Sequence, residues 1–312
     1  MPHFLTFTPN PAVDVSTGVD RLVDAHKMRC EAPLMHPGGG GINVARVLHR
    51  LAADVLAVYP AGGPNGERLH ALLQQEGVPD LRVPVAQETR ESMTVHEHAT
   101  GREYRFVLPG PTLGADEWMR CLNQLQQIAP PASWWVASGS LPPGVGDDGY
   151  AQLAQLARQS GARMVLDSSG AALQAALQAG VWLVKPSLRE LSELLGTPLT
   201  TRHTQREAAR GLIAQGQAQM VALSLGGEGA MLVTADQCLH ADALPVTVAG
   251  SVGAGDSFLA GLLWALDHDG ELRHALATAV AAGAAAVMAP GTALCQAQDI
   301  LKLRTQVQVR AC

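Results

Sequence analysis

VAGSVGAGDSFLAGLL, residues 248–263, sets Gly253-Ala254-Gly255 directly before Asp256 and then runs into an apolar helical pattern. Glycines ahead of a helix leave backbone N–H groups unobstructed at its N-terminus, a ready place for an anion. A carboxylate on the same turn is out of place if an anion is all that binds there. As a structural residue Asp256 would be an N-cap. As a functional one it fits phosphoryl transfer. A carboxylate takes the proton of an attacking hydroxyl while the amides hold the charge on the transferred group. The stretch alone leaves both readings open.

Outward from this turn, short apolar runs alternate with helical patterns. HFLTFT, VLAVYPA, SWWVASG, RMVLDSS, VWLVKPS and QMVALSL read as strands; VARVLHRLAA, RLHALLQQE, EWMRCLNQLQQI, AQLAQLARQS, AALQAALQAG and QREAARGLIAQ read as helices. Three further helical segments end the chain. Continuous apolar strands between amphipathic helices predict an α/β fold: a mostly parallel sheet with helices on both faces, in one domain over 1–312. Residues 12–36 and 91–108 break the rhythm. Their apolar/polar alternation suits strands with one wet face, and ATGRE between them is a hairpin turn. They can pair into a small separate sheet, serving as a flap over a site, a surface between subunits or an edge extension.

Composition narrows the function. Of 312 residues, 47% are hydrophobic and 16% charged, enough for a full core. The net charge of −6 with no basic run argues against nucleic acid and anionic membrane as partners. The most apolar late segment, Ala275 to Pro290, is short and rich in Ala and Gly, which reads as a packed core helix and not a membrane span. MPHFLTFTPNPAVD has no basic region followed by a long apolar one, so no signal peptide is expected. The five cysteines are scattered and never spaced CxxC. That usage predicts free thiols, no disulfide framework and a cytoplasmic protein.

Further motifs sit at expected strand ends. PGGGGINVARVLHRL, from Pro37, is a glycine run entering a helix, but Asn43 stands where a dinucleotide fingerprint needs its third glycine. No GxxxxGK[ST] occurs either. What remains is bare backbone at a helix start, with Asn43 adding donors and an acceptor one turn in, or simply a tight turn. ASGSLPPG, from Ala137, puts Ser138 and Ser140 beyond a strand, where open α/β sheets bind ligands. VKPSLREL, from Val184, keeps one of only three lysines, Lys185, at another strand end. Glu190 follows in the first turns of a helix, where a carboxylate can hold a metal through water or merely favour the helix dipole. SLGGEGAML, from Ser224, is a strand, a glycine turn and a strand; the turn is either a phosphate cradle or an ordinary hairpin.

Taken together, GGGGINVAR, KPxxxE, SLGxxGA and GAGDSF, in this order along nearly the whole chain, resemble the ribokinase-like (PfkB) carbohydrate kinases. TPNPAVD, TRESMTV, YRFVLPGP and SGSLPPG are most similar to the branch acting on ketohexose phosphates. The resemblance implies a ribokinase-like fold with a small β-sheet lid, ATP and Mg²⁺ as cofactors, and a homodimer formed through the lids. It implies transfer to O1 of fructose 6-phosphate, with fructose 1-phosphate and tagatose 6-phosphate as rival acceptors and a silent sugar-phosphate sensor as a remote one. It also implies roles. Asp256 would be the general base and the amides of Gly253, Ala254 and Gly255 the anion hole. Asp14, Gly39, Gly40 and Asn43 would hold sugar hydroxyls, with Ser138, ahead of Ser140, from the SGS loop. Arg90 would face the sugar's own phosphate. Lys185, Ser187, Ser224, Gly226 and Gly229 would contact nucleotide, Lys27 would reach a nucleotide phosphate from the lid across a dimer, and Glu190 would stand near magnesium. Carbonyls of Gly250, Val252, Ala286 and Gly291 would hold a monovalent cation such as K⁺. The chain departs from the family in one place: Ser187 stands where Asn usually follows KP, with a shorter reach.

Overall fold

The computed structural model describes residues 2–128 and 132–312. The chain runs β1 (Phe4–Phe7), β2 (Ala12–Val19), β3 (Leu34–Gly38), α1 (Gly40–Arg50), β4 (Val55–Ala61), α2 (Gly63–Gln75) and β5 (Asp80–Pro84). It continues through β6 (Arg90–Glu97), β7 (Arg102–Val107), α3 (Ala115–Gln126), β8 (Trp134–Ser138), α4 (Gly149–Gln159), β9 (Arg163–Asp167), α5 (Gly170–Ala179) and β10 (Val181–Val184). The last third holds α6 (Leu188–Leu195), α7 (Arg202–Ala214), β11 (Ala218–Ser224), β12 (Ala230–Val233), β13 (Cys238–Ala241), α8 (Ala254–His268), α9 (Leu272–Val287), α10 (Ala297–Arg304) and β14 (Val309–Ala311).

Ten described strands form one sheet in the order β14-β13-β12-β11-β10-β9-β8-β1-β4-β5. The seven strands from β11 to β5 are parallel, and β12, β13 and β14 add on antiparallel. Both faces are covered, as the unbroken apolar runs require. Phe4, Trp134, Val165 and Leu183 pack in one core layer with α1, α8 and α9. Their chain neighbours Leu5, Trp135, Leu166 and Val184 pack in the other with α3 to α7. Among the described residues, no helix is long and apolar enough to cross a membrane. The chain steps from β1 toward β4 and β5 on one side and toward β8 and β9 on the other. The loops leaving β1 and β8 therefore flank the point where sheets of this kind bind ligands.

The two half-polar stretches do pair. They make a four-stranded sheet, β3-β2-β6-β7, with the ATGRE turn between β6 and β7. Its register sorts side chains by face. Asp14 lies beside His36 and Ser92, and Thr94 beside Arg105, one residue pair further on along the same face. That face meets the main body: Glu103, also on it, accepts a hydrogen bond from Ser251 Oγ at 3.3 Å. Across the opposite face Met35, Val15, Met93 and Phe106 stand side by side.

One expectation fails. Cys238 and Cys312 are joined in a disulfide, Cα–Cα 5.3 Å, so two of the five cysteines are not thiols. The cause is β14, whose pairing of Leu239 with Ala311 sets the two cysteines opposite each other at the sheet edge. A three-residue strand after a helix has no periodicity to read, so the partner of Cys238 stayed hidden. Cys121 and Cys295 are buried thiols and Cys30 is an exposed one.

Candidate active site

Parallel strands deliver the polar groups. β8, β9 and β10 are neighbours, and they end at Ser138, Asp167 and, one residue on, Lys185. Lys185 Nζ lies 3.1 Å from Asp167 Oδ1, and both side chains are largely buried. Burial opposes the ammonium charge, but the carboxylates of Asp167, Asp256 and Glu190 outweigh it and hold the Lys185 pKa above its ordinary value. A fixed cation therefore stands at these strand ends.

Helix α8 points its N-terminus at this cation. Its N-cap is Gly253, in the left-handed region at φ 77°, and Asp256 is the third helical residue. Asp256 is thus not the N-cap, although a carboxylate in the first turn still favours the helix dipole. The first N–H groups of a helix have no intrahelical acceptor and face outward along its axis. Asp256 Oδ2 accepts a hydrogen bond from Asn43 Nδ2 at 2.8 Å, bringing the start of α1 against the start of α8. Enclosure by protein, with the Asp167 charge nearby, raises the Asp256 pKa to about 6, against the opposing pull of Asn43 and Lys185. A carboxylate tuned to that range accepts a proton at neutral pH better than an ordinary one.

The remaining predicted sugar residues converge on the same place. A methyl group on Gly40 would fall 2.1 Å from Ser138 Oγ and 3.2 Å from Asp256 Oδ1, so only glycine lets α1 begin there. Asp14 projects from β2 of the small sheet with its pKa raised to about 6 by burial, opposed by the charges of Arg105, Arg46 and Arg90. Arg90 donates to the carbonyls of Leu108 (3.0 Å), Asn10 (2.9 Å) and, more weakly, Pro11 (3.4 Å). Of its five N–H groups, these leave two for an anion. Arg90, Asn10 and Ser140 line a cleft of about 580 Å³. Asn10 Oδ1 and Ser16 Oγ are buried with no hydrogen-bond partner among the described residues.

A second, larger cleft of about 1540 Å³ opens beside Ala254 and Gly255 and runs past Ser187, Ser224, Gly226 and Gly229 to Phe258 and Val287. Its size and mixed lining suit a nucleotide. The glycines in its wall differ. Gly226 has open space around it, whereas a methyl on Gly229 would strike the Ala241 carbonyl at 2.0 Å. Gly229 is therefore demanded by the β11–β12 hairpin itself, so that part of SLGGEGAML is a hairpin as well as a cleft wall.

Other expected contacts are weaker. Ser187 caps α6, accepting from Glu190 N at 3.2 Å, while Glu190 Oε2 accepts from Ser187 N at 2.8 Å. This reciprocal box occupies one Glu190 oxygen and leaves the other. Glu190 and Asp167 act electrostatically on one another beside Lys185, and among the described residues no group of three or more acidic, histidine or cysteine side chains is placed to hold a metal directly, so any magnesium here would have to be held through water. Near Gly250, the Ala289 and Gly291 carbonyls and the Glu103 carboxylate approach a common point. Oxygens of this kind suit a monovalent cation; the Ala286 carbonyl accepts from Ala289 N at 3.1 Å, which leaves it one lone pair. Lys27 lies in the exposed loop between β2 and β3, and the other predicted site residues are not brought to it.

Two residues here escaped the sequence reading. Asp167 ends RMVLD beside the SGS and KP strand ends, and that alignment of three polar strand ends was the available signal. Arg105 sits in β7 of the small sheet and offers none beyond its charge.

Comparison with known proteins agrees with this geometry. The profile of the pfkB family carbohydrate kinases matches residues 11–299. The chain is 45% identical over 299 residues to a Mycobacterium tuberculosis protein named ATP-dependent 6-phosphofructokinase isozyme 2, covering 96% of this chain and 88% of that one. It is 40% identical over 304 residues to the Escherichia coli K12 protein of the same name, covering 97% and 98%. The crystal structure of Escherichia coli phosphofructokinase-2 in complex with fructose-6-phosphate superposes with a TM-score of 0.92 at 39% identity, over 98% of this chain and 99% of that one.

Proposed function

This chain belongs to the pfkB family of carbohydrate kinases, and from that premise we propose that it transfers the γ-phosphoryl group of ATP to O1 of fructose 6-phosphate. The observation that carries the reading is Asp256 itself. It is a carboxylate of raised pKa, held by Asn43, on the first turn of a helix that starts close beside Lys185.

Asp256 takes the proton from O1, whose lone pair then attacks the γ-phosphorus as the bond to the bridging oxygen of the departing ADP breaks. The amides of Gly253, Ala254 and Gly255 and the Lys185 ammonium hold the charge that spreads over the transferred group. Asp14, Gly39, Gly40, Asn43 and Ser138 orient the sugar, so that the acceptor is already in place when transfer begins. Arg90, assisted by Arg105, balances the sugar's own phosphate. Ser224, Gly226 and the cleft behind them receive the nucleotide. The free oxygen of Glu190 would hold magnesium through water, and the ion would supply neutralising charge to the phosphates. A monovalent cation near Gly250 and Gly291, with Val252 adjacent, would steady the loop that enters α8.

The assembly follows from the lid. Met35 (38% exposed), Met93 (43%) and Phe106 (51%) form an uncovered apolar row across its outer face. A second copy pairing lid to lid covers that row and brings Lys27 toward the partner's nucleotide. The lid belongs to one kinase domain and closes over the sugar, excluding water from the transfer.

The test is ADP release from ATP and Mg²⁺, with and without K⁺, offered fructose 6-phosphate, fructose 1-phosphate, tagatose 6-phosphate and free fructose. The reading predicts the highest kcat/KM on fructose 6-phosphate. A higher value on another sugar phosphate would keep the mechanism and move the substrate. Sugar-phosphate binding by calorimetry with no ADP formed would replace the enzyme by a sensor.

A further inference from the structure

Arg46, on α1, is fully buried, which is costly for a guanidinium unless its nitrogens are occupied. Nε and Nη2 donate to Glu76 at 3.0 and 2.6 Å, and Glu76 is shared with Arg50 Nη2 at 2.9 Å. That ion pair accounts for two nitrogens. The third, Nη1, turns toward the site. It faces the Pro37 carbonyl at 3.1 Å, the Thr292 carbonyl at 3.2 Å and Asn43 Oδ1 at 3.3 Å. These acceptors come from the end of the lid strand β3, the loop after α9 and the sugar-binding helix α1.

The contact with Asn43 has a chemical consequence. An amide side chain has one accepting and one donating end, and its two orientations differ only in which end faces which neighbour. Arg46 only donates and an ionised Asp256 only accepts. With Arg46 on one side and Asp256 on the other, the amide is read the same way from both ends. Reversed, it would set NH₂ against guanidinium and oxygen against carboxylate.

We propose that Arg46 is a positioning residue for phosphoryl transfer: its buried guanidinium fixes the Asn43 amide so that the NH₂ end holds Asp256 in place. The proposal rests on the reading of Asp256 as the base. Asn43 touches the base, whereas Arg46 acts through Asn43 and, by its charge, on Asp14. Asp256 also feels Asp167, Lys185 and Asp14, and Asp14 also feels Arg105 and Arg90. None of these is removed by a change at Arg46. Losing Arg46 weakens the donor to Asp256 and removes a positive charge from Asp14, and both changes favour the protonated carboxyl.

The test uses Arg46→Met and Arg46→Lys. Glu76 keeps Arg50 in either variant, so no carboxylate is stranded. If the Met variant fails to fold, Lys retains the charge toward Glu76 with a single ammonium that cannot serve both sides. Crystal structures of the variants read the positioning directly, whichever sugar is turned over. The expected result is that Asn43 Nδ2 leaves Asp256 Oδ2, kcat falls on the order of 10²-fold or less, and the acid limb of the kcat profile moves to higher pH. Glu76→Gln serves as the control for a purely structural role: it breaks the ion pair but leaves Nη1 its acceptors and should not move the limb upward. An Asn43–Asp256 contact unchanged near 2.8 Å, with lowered Tm but an unshifted limb, would overturn the proposal. Absence of turnover on every sugar phosphate would overturn the proposed function instead, and the Asn43–Asp256 distance in the variants would still decide the role of Arg46.

Discussion

Asn43 and Asp256 are 213 residues apart in sequence and 2.8 Å apart in space, one at the start of α1 and the other on the first turn of α8. Each helix begins beside a glycine, and each glycine allows the other chain to come close. The bond joins the sugar half of the cleft to the phosphoryl half. It keeps a half-buried carboxylate oriented while leaving its other oxygen, Oδ1, facing Gly40 and Ser138.

The first prediction concerns that carboxylate. Asp256→Asn should lower kcat by about 10²–10⁴-fold, the span of a general base, with little change in the KM for ATP. The hydrogen bond from Asn43 survives the substitution, so misfolding is not expected. Steady-state ADP release measures the loss, and turnover within tenfold of the wild type would remove Asp256 from the mechanism.

The second prediction is a pH dependence. Asp256 and Asp14 both have pKa values raised to about 6. Activity should fall as pH drops through about 6, with an apparent pKa belonging to the coupled pair. Stability should run the other way. A carboxyl whose folded pKa lies above its unfolded value contributes stability that is complete below about 4 and lost as pH rises through 6. Asp256→Asn should therefore raise Tm at pH 8 by a few degrees and leave it nearly unchanged at pH 4. Equal shifts at both pH values would show that the carboxyl titrates normally.

These groups were not equally legible in the sequence. Asp256, Gly253 to Gly255 and Asn43 announce themselves because each is a local device, bare backbone beside a polar residue at a helix start. Strand ends marked Ser138 and Lys185 for the same reason. Arg46 and Arg105 are set by long-range packing: which buried nitrogen meets which carbonyl depends on where α9 and the lid strands fall. Ser187 was legible in a way that went unread, since SLRE is a capping box, and that explains a serine after KP without invoking the metal. The edge strand β14 is too short to show a period, and with it the disulfide was invisible.

The third prediction separates the two lid arginines. Arg90 has three of its nitrogens tied to backbone carbonyls, whereas Arg105 is the largest favourable charge on Asp14. Arg90→Ala should raise the KM for sugar phosphate at least tenfold and also loosen the loops it anchors, lowering Tm. Arg105→Ala should raise the same KM with a smaller loss of Tm, since it removes a favourable charge on Asp14 rather than three hydrogen bonds to loop carbonyls. In both, the KM for ATP should stay within about twofold, and parallel effects on the two KM values would contradict a sugar-phosphate role.

The fourth prediction is about assembly. Met35, Met93 and Phe106 are large, apolar and exposed, and the strand register places them in one row with the largely buried Val15. A contiguous apolar stripe on a sheet face is rare on a free monomer and marks a surface that another protein covers. A twofold lid-to-lid pairing brings the stripe against itself, so each substitution counts twice at the interface. Met93→Glu with Phe106→Glu would place four carboxylates, two from each subunit, against one another in the dimer. Light scattering should report a dimer for the wild type and a monomer for the double variant. Because Asp14 and Arg105 lie on the opposite face of the same strands, the monomer should also bind sugar phosphate less tightly as its lid loses support. A double variant that remains dimeric would move the interface elsewhere, and a monomeric wild type would leave the apolar row without its proposed cover.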